Sequence, residues 1–331
     1  MIRLIALGIS VAAALVFSAF DGEAQNPGKV YRLGCLWAVP ESIAAPYRAA
    51  LEAGLKDLGW VPGQNIVFEH RFPNSPADFP RLAASVVAAR VDAIAAMTNP
   101  VVAAAAGATS DIPIVGVYTT DPVSAGWAVS LGRPAKNITG MTMDASPEVY
   151  GKQLELLRQV VPRARRVQVL RNPDWYGTLN QQIYNTTVER AARSLKLEIY
   201  FSDVRNASDI EQAFRNGTQR LPSAIYAMPE LVTFLHGPLI AQLAAKHRLP
   251  SFFGFREPVE AGGLASYGPN LAAMPRYAAS FVDRLFRGAR PGNLPFEQPT
   301  RFEMVINQKT AKALSLTLPS SLLLRADQVL E

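Results

Sequence analysis

"VDAIAAMTNPVVAAAAGATSDIPIVGVYTTDP", Val91 to Pro122, is the stretch whose reading decides the fold. Two short apolar runs, "VDAIAAM" (91–97) and "IPIVGVY" (112–118), flank an alanine-rich segment, Pro100–Ala108. The runs contain β-branched residues and are bounded by turn residues, so they read as strands. The alanine-rich segment between them is a good helix former. A strand, a helix and a second strand in succession imply a parallel pair joined by a crossover.

The same alternation extends in both directions. Upstream, "VYRLGCLW" (30–37) and "NIVFEHRF" (65–72) read as strands, with helical periodicity over 42–58 and 78–89. After "NITGMTM" (137–143) a second series begins. Its strands are "RRVQVLRN" (165–172), "LEIYFSDV" (197–204), "SAIYAM" (223–228) and "LPSFFGF" (249–255). Its helices are expected over Glu148–Val160, Thr178–Leu195, Ser208–Thr218 and Leu231–His247. Then come "GGLASYG" (262–268), an amphipathic helix over Met274–Arg287, a proline-rich passage (290–299) and "RFEMVINQKTAKAL" (301–314). The expected fold is therefore α/β: two Rossmann-like lobes with parallel sheets flanked by helices, joined by crossover hinge strands. The expected division is a leader over 1–24, a first lobe over 25–138 plus 269–300, and a second over 139–268 plus 301–331. The hinges are expected near Ile138–Gly140, Ser266–Gly268 and Phe302–Ile306.

The leader rests on Arg3 followed by an apolar run from Leu4 to Phe20, with Gly22 and Ala24 at signal-peptidase spacing. The rest of the chain contains no apolar run long enough to span a bilayer. Cys35, the single cysteine, has Lys29 and Arg32 between it and the leader core, which argues against a lipid anchor; the expectation is an exported protein without one. With one cysteine there is no internal disulfide. The chain carries 33 Lys and Arg against 27 Asp and Glu, a net charge of +6. Those charges are dispersed, with no basic stripe interleaved with aromatics, so no nucleic-acid partner is expected.

Chemical motifs are scarce. There is no G-x-S-x-G elbow, no phosphate-binding glycine loop and no metal-ligand spacing among His70, His236 and His247. No catalytic residue, metal or cofactor is expected. Asp121 and Glu257 could still form a carboxylate pair across a cleft. In open parallel sheets, ligands lie beyond the carboxyl ends of the strands. The loops there mix aromatics such as Trp37, Tyr118, Tyr176, Phe253 and Tyr267 with short polar groups and with Arg171 or Arg256, the composition of a small-ligand pocket. Thr98 and Asn99, at a helix start, could give donors to a carboxylate. Pro122 biases Asp121 toward an extended backbone that aims its carboxylate beyond the sheet.

Several long blocks carry a resemblance. "LKDLGWVPGQNIVFEHR" (55–71), "TDPVSAGW" (120–127), "REPVEAGGLASYGPNL" (256–271) and "RFEMVINQKTAKAL" (301–314) resemble solute-binding proteins of ABC transporters related to tryptophan/tyrosine-type receptors. That resemblance implies a periplasmic-binding-protein type I fold, with two lobes closing on a small organic solute without chemistry. It also implies delivery to an ABC permease in the inner membrane, by a protein expected to be a monomer that diffuses freely in the periplasm, since the lipobox cysteine that relatives often carry is missing here. By the same pattern the first wall would be Trp37, Ser42, Thr98, Asn99, Tyr118 and Asp121. The second would be Arg171, Asn172, Tyr176, Met228, Phe253 and Arg256, with Tyr267 at a further strand end. A sensor subunit for a membrane signalling protein is the alternative use of this fold. The loops "WAVPESIAAPY" (37–47) and "RNPDWYGTLN" (171–180) are individual to this chain, so the solute's identity stays open.

Overall fold

The apolar runs form strands and the periodic stretches form helices, as seen in a computed structural model that describes residues 28–143, 146–174 and 177–331. The side chains at 177–181, 218 and 219 are not described. The expected leader and Tyr176 lie outside the described residues.

The first half runs β1 (Tyr31–Leu36), α1 (Glu41–Asp57), β2 (Ile66–Arg71), α2 (Phe79–Ala88), β3 (Ala93–Met97), α3 (Asn99–Ala108) and β4 (Ile114–Thr119). A small antiparallel pair, β5 (Ala128–Ser130) and β6 (Arg133–Pro134), precedes β7 (Ile138–Thr142). The second half continues with α4 (Glu148–Val160), β8 (Arg166–Arg171), α5 (Gly177–Ser194), β9 (Glu198–Asp203), α6 (Ala207–Arg220) and β10 (Ala224–Ala227). Next come α7 (Leu231–Leu235), α8 (Gly237–Lys246), β11 (Ser251–Phe253), α9 (Glu257–Glu260), β12 (Ala265–Gly268) and α10 (Met274–Phe286). The chain closes with β13 (Glu303–Asn307), α11 (Gln308–Ala313), α12 (Ser320–Leu323) and β14 (Gln328–Leu330).

Two sheets result. The first has the order β2-β1-β3-β4-β7 and is parallel throughout. The second has the order β14-β13-β12-β11-β10-β8-β9, and only the β12–β13 pair is antiparallel. That reversal occurs where the chain re-enters the second lobe from the first. Both faces of each sheet are covered, as parallel sheets require. In β1, Leu33 and Cys35 pack under α1 and α10, while Leu36 packs with α2 and α3. In the second lobe, Val167 and Val169 of β8 face α4 and α5, and Leu170 faces α6 and α8.

Two expectations need correction. The proposed hinge segments are not free: Ile138–Gly140 is paired inside the first sheet, and Ser266–Gly268 and 303–306 inside the second. Gly140 sits so close to β4, at φ 143°, that an added Cβ would lie 2.0 Å from the Gly116 carbonyl oxygen. The crossings therefore lie after Met143, over 269–273, and between Glu297, which bonds back to β7, and β13. Second, the single helix expected over Leu231–His247 is two, α7 and α8, broken at His236. Pro238 lacks the N–H and crowds the preceding turn, so it opens α8 rather than continuing α7. That break leaves α7 as a short, separately capped turn facing the other lobe.

Candidate functional site between the lobes

A cavity lies where the two sheets' strand ends meet. Its first-lobe wall comes from Trp37, Ala38 and Val39 after β1, Tyr47 of α1, Met97 at the end of β3 and Thr98 after it, Tyr118 of β4, and Met143 after β7. Its second-lobe wall is Glu230, Leu231 and Phe234 at the start of α7, with Phe255 after β11. Leu271, on a crossing segment, closes it. The free volume is about 60 Å³, less than half of the roughly 150 Å³ apolar cavity that accepts benzene. The lobes touch around it. Tyr47 donates to Glu257 Oε1 across the gap at 3.1 Å and packs edge-on against Phe234. The lobes are thus bridged beside a cavity too small for a ring-sized solute.

The first-lobe wall is made by unusual backbone. Thr98 has φ 74° and Tyr118 has φ 58°, a region that β-branched and bulky residues rarely occupy. Between Gly116 and Thr119 the β4–β7 register slips by one residue, a bulge that turns Tyr118 out of the ladder. Its hydroxyl then donates to the Leu271 carbonyl at 2.8 Å. Thr98 precedes α3, and its buried hydroxyl has no hydrogen-bond partner among the described residues. Strain of this kind concentrates at functional sites. Trp37 is 2% exposed, and its indole Nε1 donates to His70 Nδ1 at 3.2 Å.

The second-lobe wall is held by a cap. The Glu230 side chain, 1% exposed, accepts from the backbone N–H of Val232 at 2.9 Å and of Thr233 at 3.3 Å. The Asn172 backbone N–H donates to it as well. Burial pushes its carboxyl up to about 8. Burial likewise raises Glu257 above the ordinary carboxylate range. One Glu257 oxygen takes the Tyr47 hydroxyl; the other is buried without a partner among the described residues. The cavity is therefore apolar and aromatic over most of its wall, with Thr98 Oγ1 in that wall and Glu257 Oε2 beside it left unsatisfied. Among the described residues there is no cluster of three metal-ligating side chains, and the Cys35 thiol is buried and raised by that burial.

Of the expected site residues, Trp37, Thr98 and Tyr118 line this cavity. Ser42 is exposed on the first turn of α1. Asn99 is engaged by the β4 loop, its amide bonding the Thr120 backbone N–H, carbonyl and hydroxyl. Asp121 is not extended but has φ 39°, and its carboxylate accepts from Ser124 N–H at 3.0 Å. It holds the turn rather than the cavity, because the Pro122 bias yields to that local hydrogen bond. Arg171 pairs with Asp203 at 2.7 Å and lies over the Phe201 ring. The Asn172 side chain accepts from Asp174 N–H. Met228 and Phe253 are core residues of the second lobe. Arg256 is taken by Glu260, Glu303 and Gln328, away from the cavity. Tyr267 stacks on Phe302.

Sequence reasoning passed over Tyr47, Met97, Met143, Leu231, Phe234 and Leu271. The signal for Leu231 and Phe234 was available: an i, i+3 apolar pair directly after a capping acidic residue and a strand end. Tyr47 sits inside a helix, and Met143 and Leu271 lie on crossing segments, where no local pattern marks them.

The profile of the ABC transporter substrate binding protein family matches residues 42–330 of this chain. A tyrosine-binding protein of Clostridioides difficile (strain R20291) is 25% identical over 326 residues, covering 94% of this chain and 92% of its own. Among solved structures, a conserved domain protein from Vibrio cholerae is 25% identical with a TM-score of 0.82, over 91% of this chain and 100% of its own. A Streptococcus pneumonia domain in complex with L-Trp has a TM-score of 0.83 at 21% identity, over 91% of this chain and 100% of its own.

Proposed function

We propose, on the premise that this chain belongs to the ABC transporter substrate binding protein family, that it captures an amino acid or related small organic acid with an aromatic or apolar end. The observation that carries this reading is the interlobe cavity, aromatic in its walls, with Thr98 Oγ1 unsatisfied at the start of α3. A helix start beside a free hydroxyl suits a carboxylate. Glu257 Oε2 suits a donor such as an ammonium group. Trp37, Tyr47, Phe234 and Phe255 suit a ring or alkyl chain. The ligands named for the Clostridioides and Streptococcus proteins, tyrosine and L-Trp, belong to this chemical class.

The solute stabilises closure only by binding the closed form better than the open one. In this reading the lobes turn about the segments after Met143, at 269–273 and at 298–302, with β7 kept in the first lobe. The expected boundary at 138 therefore moves to 143, and the lobes become 25–143 plus 269–300 and 144–268 plus 301–331. The protein binds without catalysis: Asp121, one half of the carboxylate pair, is engaged by its own turn. The chain is exported by its 1–24 leader and freed without a lipid anchor. The burial of Cys35 in the middle of β1 supports that, since an anchor there would need β1 removed from the sheet. It works as a monomer with an ABC permease and no nucleic acid.

The test is a thermal-shift panel on the mature chain with amino acids, aromatic acids and other small organic acids. A solute binding only the folded state at 100 times its Kd adds about 2.7 kcal/mol and raises the midpoint by several degrees. The expected hits carry both a carboxylate and an apolar end, and the matching decarboxylated amine is inert. A panel with no hit, or an amine as effective as its parent acid, would overturn the reading.

A further inference from the structure

His70 stands behind the cavity wall and uses both ring nitrogens. Nδ1 lies 3.2 Å from Trp37 Nε1, and Nε2 lies 3.1 Å from Glu52 Oε1 on α1. An indole N–H can only donate, so Nδ1 must be a bare acceptor and Nε2 must carry the proton given to Glu52. The geometry therefore fits one tautomer of the neutral imidazole. Phe68 and Phe72 stack on the ring from either side, at centroid separations of 5.6 and 6.0 Å. Phe72 also stacks on Trp37 at 6.1 Å with the planes 14° apart. Trp37 is thus fixed in the wall by one hydrogen bond and by ring contacts with His70 and Phe72, all from β2 or the residue after it.

We propose that His70 is a positioning residue: its neutral imidazole holds Trp37 in the cavity wall, so that solute capture weakens when the imidazole takes up a proton. The proposal rests on the interlobe cavity being the solute site. A second proton on Nδ1 would set two N–H donors against each other at 3.2 Å. One of them must move, and Trp37, almost fully buried, has no water to turn toward.

The charged groups facing the ring all come from α1. Glu52 draws a proton to it, Glu41 does so more weakly, and Arg48 opposes both. Arg48 is itself paired with Glu41 at 2.9 Å and Glu52 at 3.7 Å, which mutes the pull of both acids. Glu69, next along β2, is paired with Arg32 and Arg71. Cys35, across the ladder from His70, stays a neutral thiol. Burial of the ring outweighs Glu52 and holds the imidazole below its ordinary 6.5. The change therefore falls on the acid side of that value. Apparent affinity scales with the competent fraction, so it drops by up to about tenfold for each pH unit below the His70 midpoint.

The indole N–H resonances of the solute-free, 15N-labelled mature protein test this without knowledge of the solute. Trp37→Phe identifies the Trp37 signal, and the sample is titrated from pH 8 to pH 5 with folding checked by circular dichroism. The wild-type Trp37 signal should move in one step below pH 6.5. In His70→Gln, whose amide can accept from the indole and donate to Glu52, it should stay near its alkaline position at every pH. In His70→Phe it should be displaced at every pH. L-Tyrosine serves as the binding probe: its affinity should fall below pH 6.5 in wild type and stay level in His70→Gln. A Trp37 signal that is constant in folded wild type, or that titrates equally in His70→Gln, overturns the proposal. If L-tyrosine binds at no pH, that counts against the proposed solute class, and the indole titration still decides the role of His70.

Discussion

The first lobe meets the cavity mainly with strand ends, whereas the second meets it mainly with the start of a helix. Thr98 and Tyr118 reach the cavity because β3 and β4 finish in left-handed backbone that aims their side chains past the sheet edge. In the second lobe the strand-end side chains other than Phe255 turn inward or pair with neighbouring elements. Met228 and Phe253 join the core, and Arg171 and Arg256 take acids of neighbouring elements. Apart from Phe255, that wall comes from α7, whose first turn Glu230 pins. The two walls are also held by opposite titrations. His70, lowered by burial, supports the first while neutral; Glu230, raised to about 8 by burial, caps the helix of the second. One wall is carried by backbone strain and a stacked ring, the other by a single buried cap, and substitutions should separate them.

The largest effect is expected at that cap. Glu230→Ala leaves three backbone N–H groups without their acceptor in a buried site. An unsatisfied buried donor costs about 1–3 kcal/mol, and loss of an N-cap about 1 kcal/mol. A destabilisation of roughly 3 kcal/mol in urea unfolding is expected, with solute affinity down about 100-fold as Leu231 and Phe234 lose their footing. Glu230→Gln separates charge from capping. The folded carboxyl titrates near 8 and the unfolded one near 4.5, so the folded state binds more protons between those values. Stability from this group is full below about 4.5 and is lost as pH rises through about 8. The His70 contribution runs the other way, being full above 6.5 and lost as pH falls through its lowered folded value. Urea midpoints from pH 5 to 8.5 should therefore fall on the alkaline side in wild type. In Glu230→Gln that alkaline decline should disappear while the acid limb remains. An unchanged alkaline slope would mean that Glu230 is not the titrating group.

At the first wall the expectation inverts. Thr98 at φ 74° is strained, and glycine accepts that backbone without penalty. Thr98→Gly should gain up to about 1 kcal/mol of stability from relief of strain while losing the one free hydroxyl in the wall. Affinity for a carboxylate-bearing solute should drop roughly tenfold, the value of one hydrogen bond to a charged group. Thr98→Ala keeps the strain and loses the hydroxyl, so it should match the affinity loss without the stability gain. Calorimetric titration and urea unfolding on both variants read the two quantities apart.

Much of this architecture is legible in the sequence, and the limits of that legibility are physical. Alternating apolar runs and helical stretches give two α/β lobes because period and length are local properties. The strand-end rule also places Trp37, Thr98 and Tyr118 beside the cleft. It could not say which side chains at those ends are free, because Asp203, Glu303 and Thr120, which engage Arg171, Arg256 and Asn99, lie 21 to 47 residues away along the chain. Nor could it foresee the slip between β4 and β7, which depends on the Gly116–Gly140 approach across two strands. The His70–Trp37 bond is hidden for the same reason: 33 residues separate partners that become neighbours only when β1 pairs with β2.

The smallest effects should come from residues whose composition suggested ligand contact and whose geometry assigns them elsewhere. Asp121 accepts from Ser124 N–H in a partly exposed turn, and Arg256 lies in an ion cluster with Glu260 and Glu303. Ion pairs at such exposure contribute about 0–1 kcal/mol. Arg256→Ala should change solute affinity less than twofold, because neither the ring-bearing wall nor Thr98 depends on it. Asp121→Ala should cost about 0.5–1 kcal/mol through the left-handed turn, where aspartate is tolerated and alanine is not, again with affinity within twofold. Both values come from the same titration and unfolding measurements used for Thr98→Gly. A tenfold affinity loss in Arg256→Ala would place that guanidinium at the solute and make the second wall a strand-end wall like the first. A tenfold loss in Asp121→Ala would instead extend the first wall to include the β4 turn, with Thr98 and Asp121 sharing the polar end of the solute.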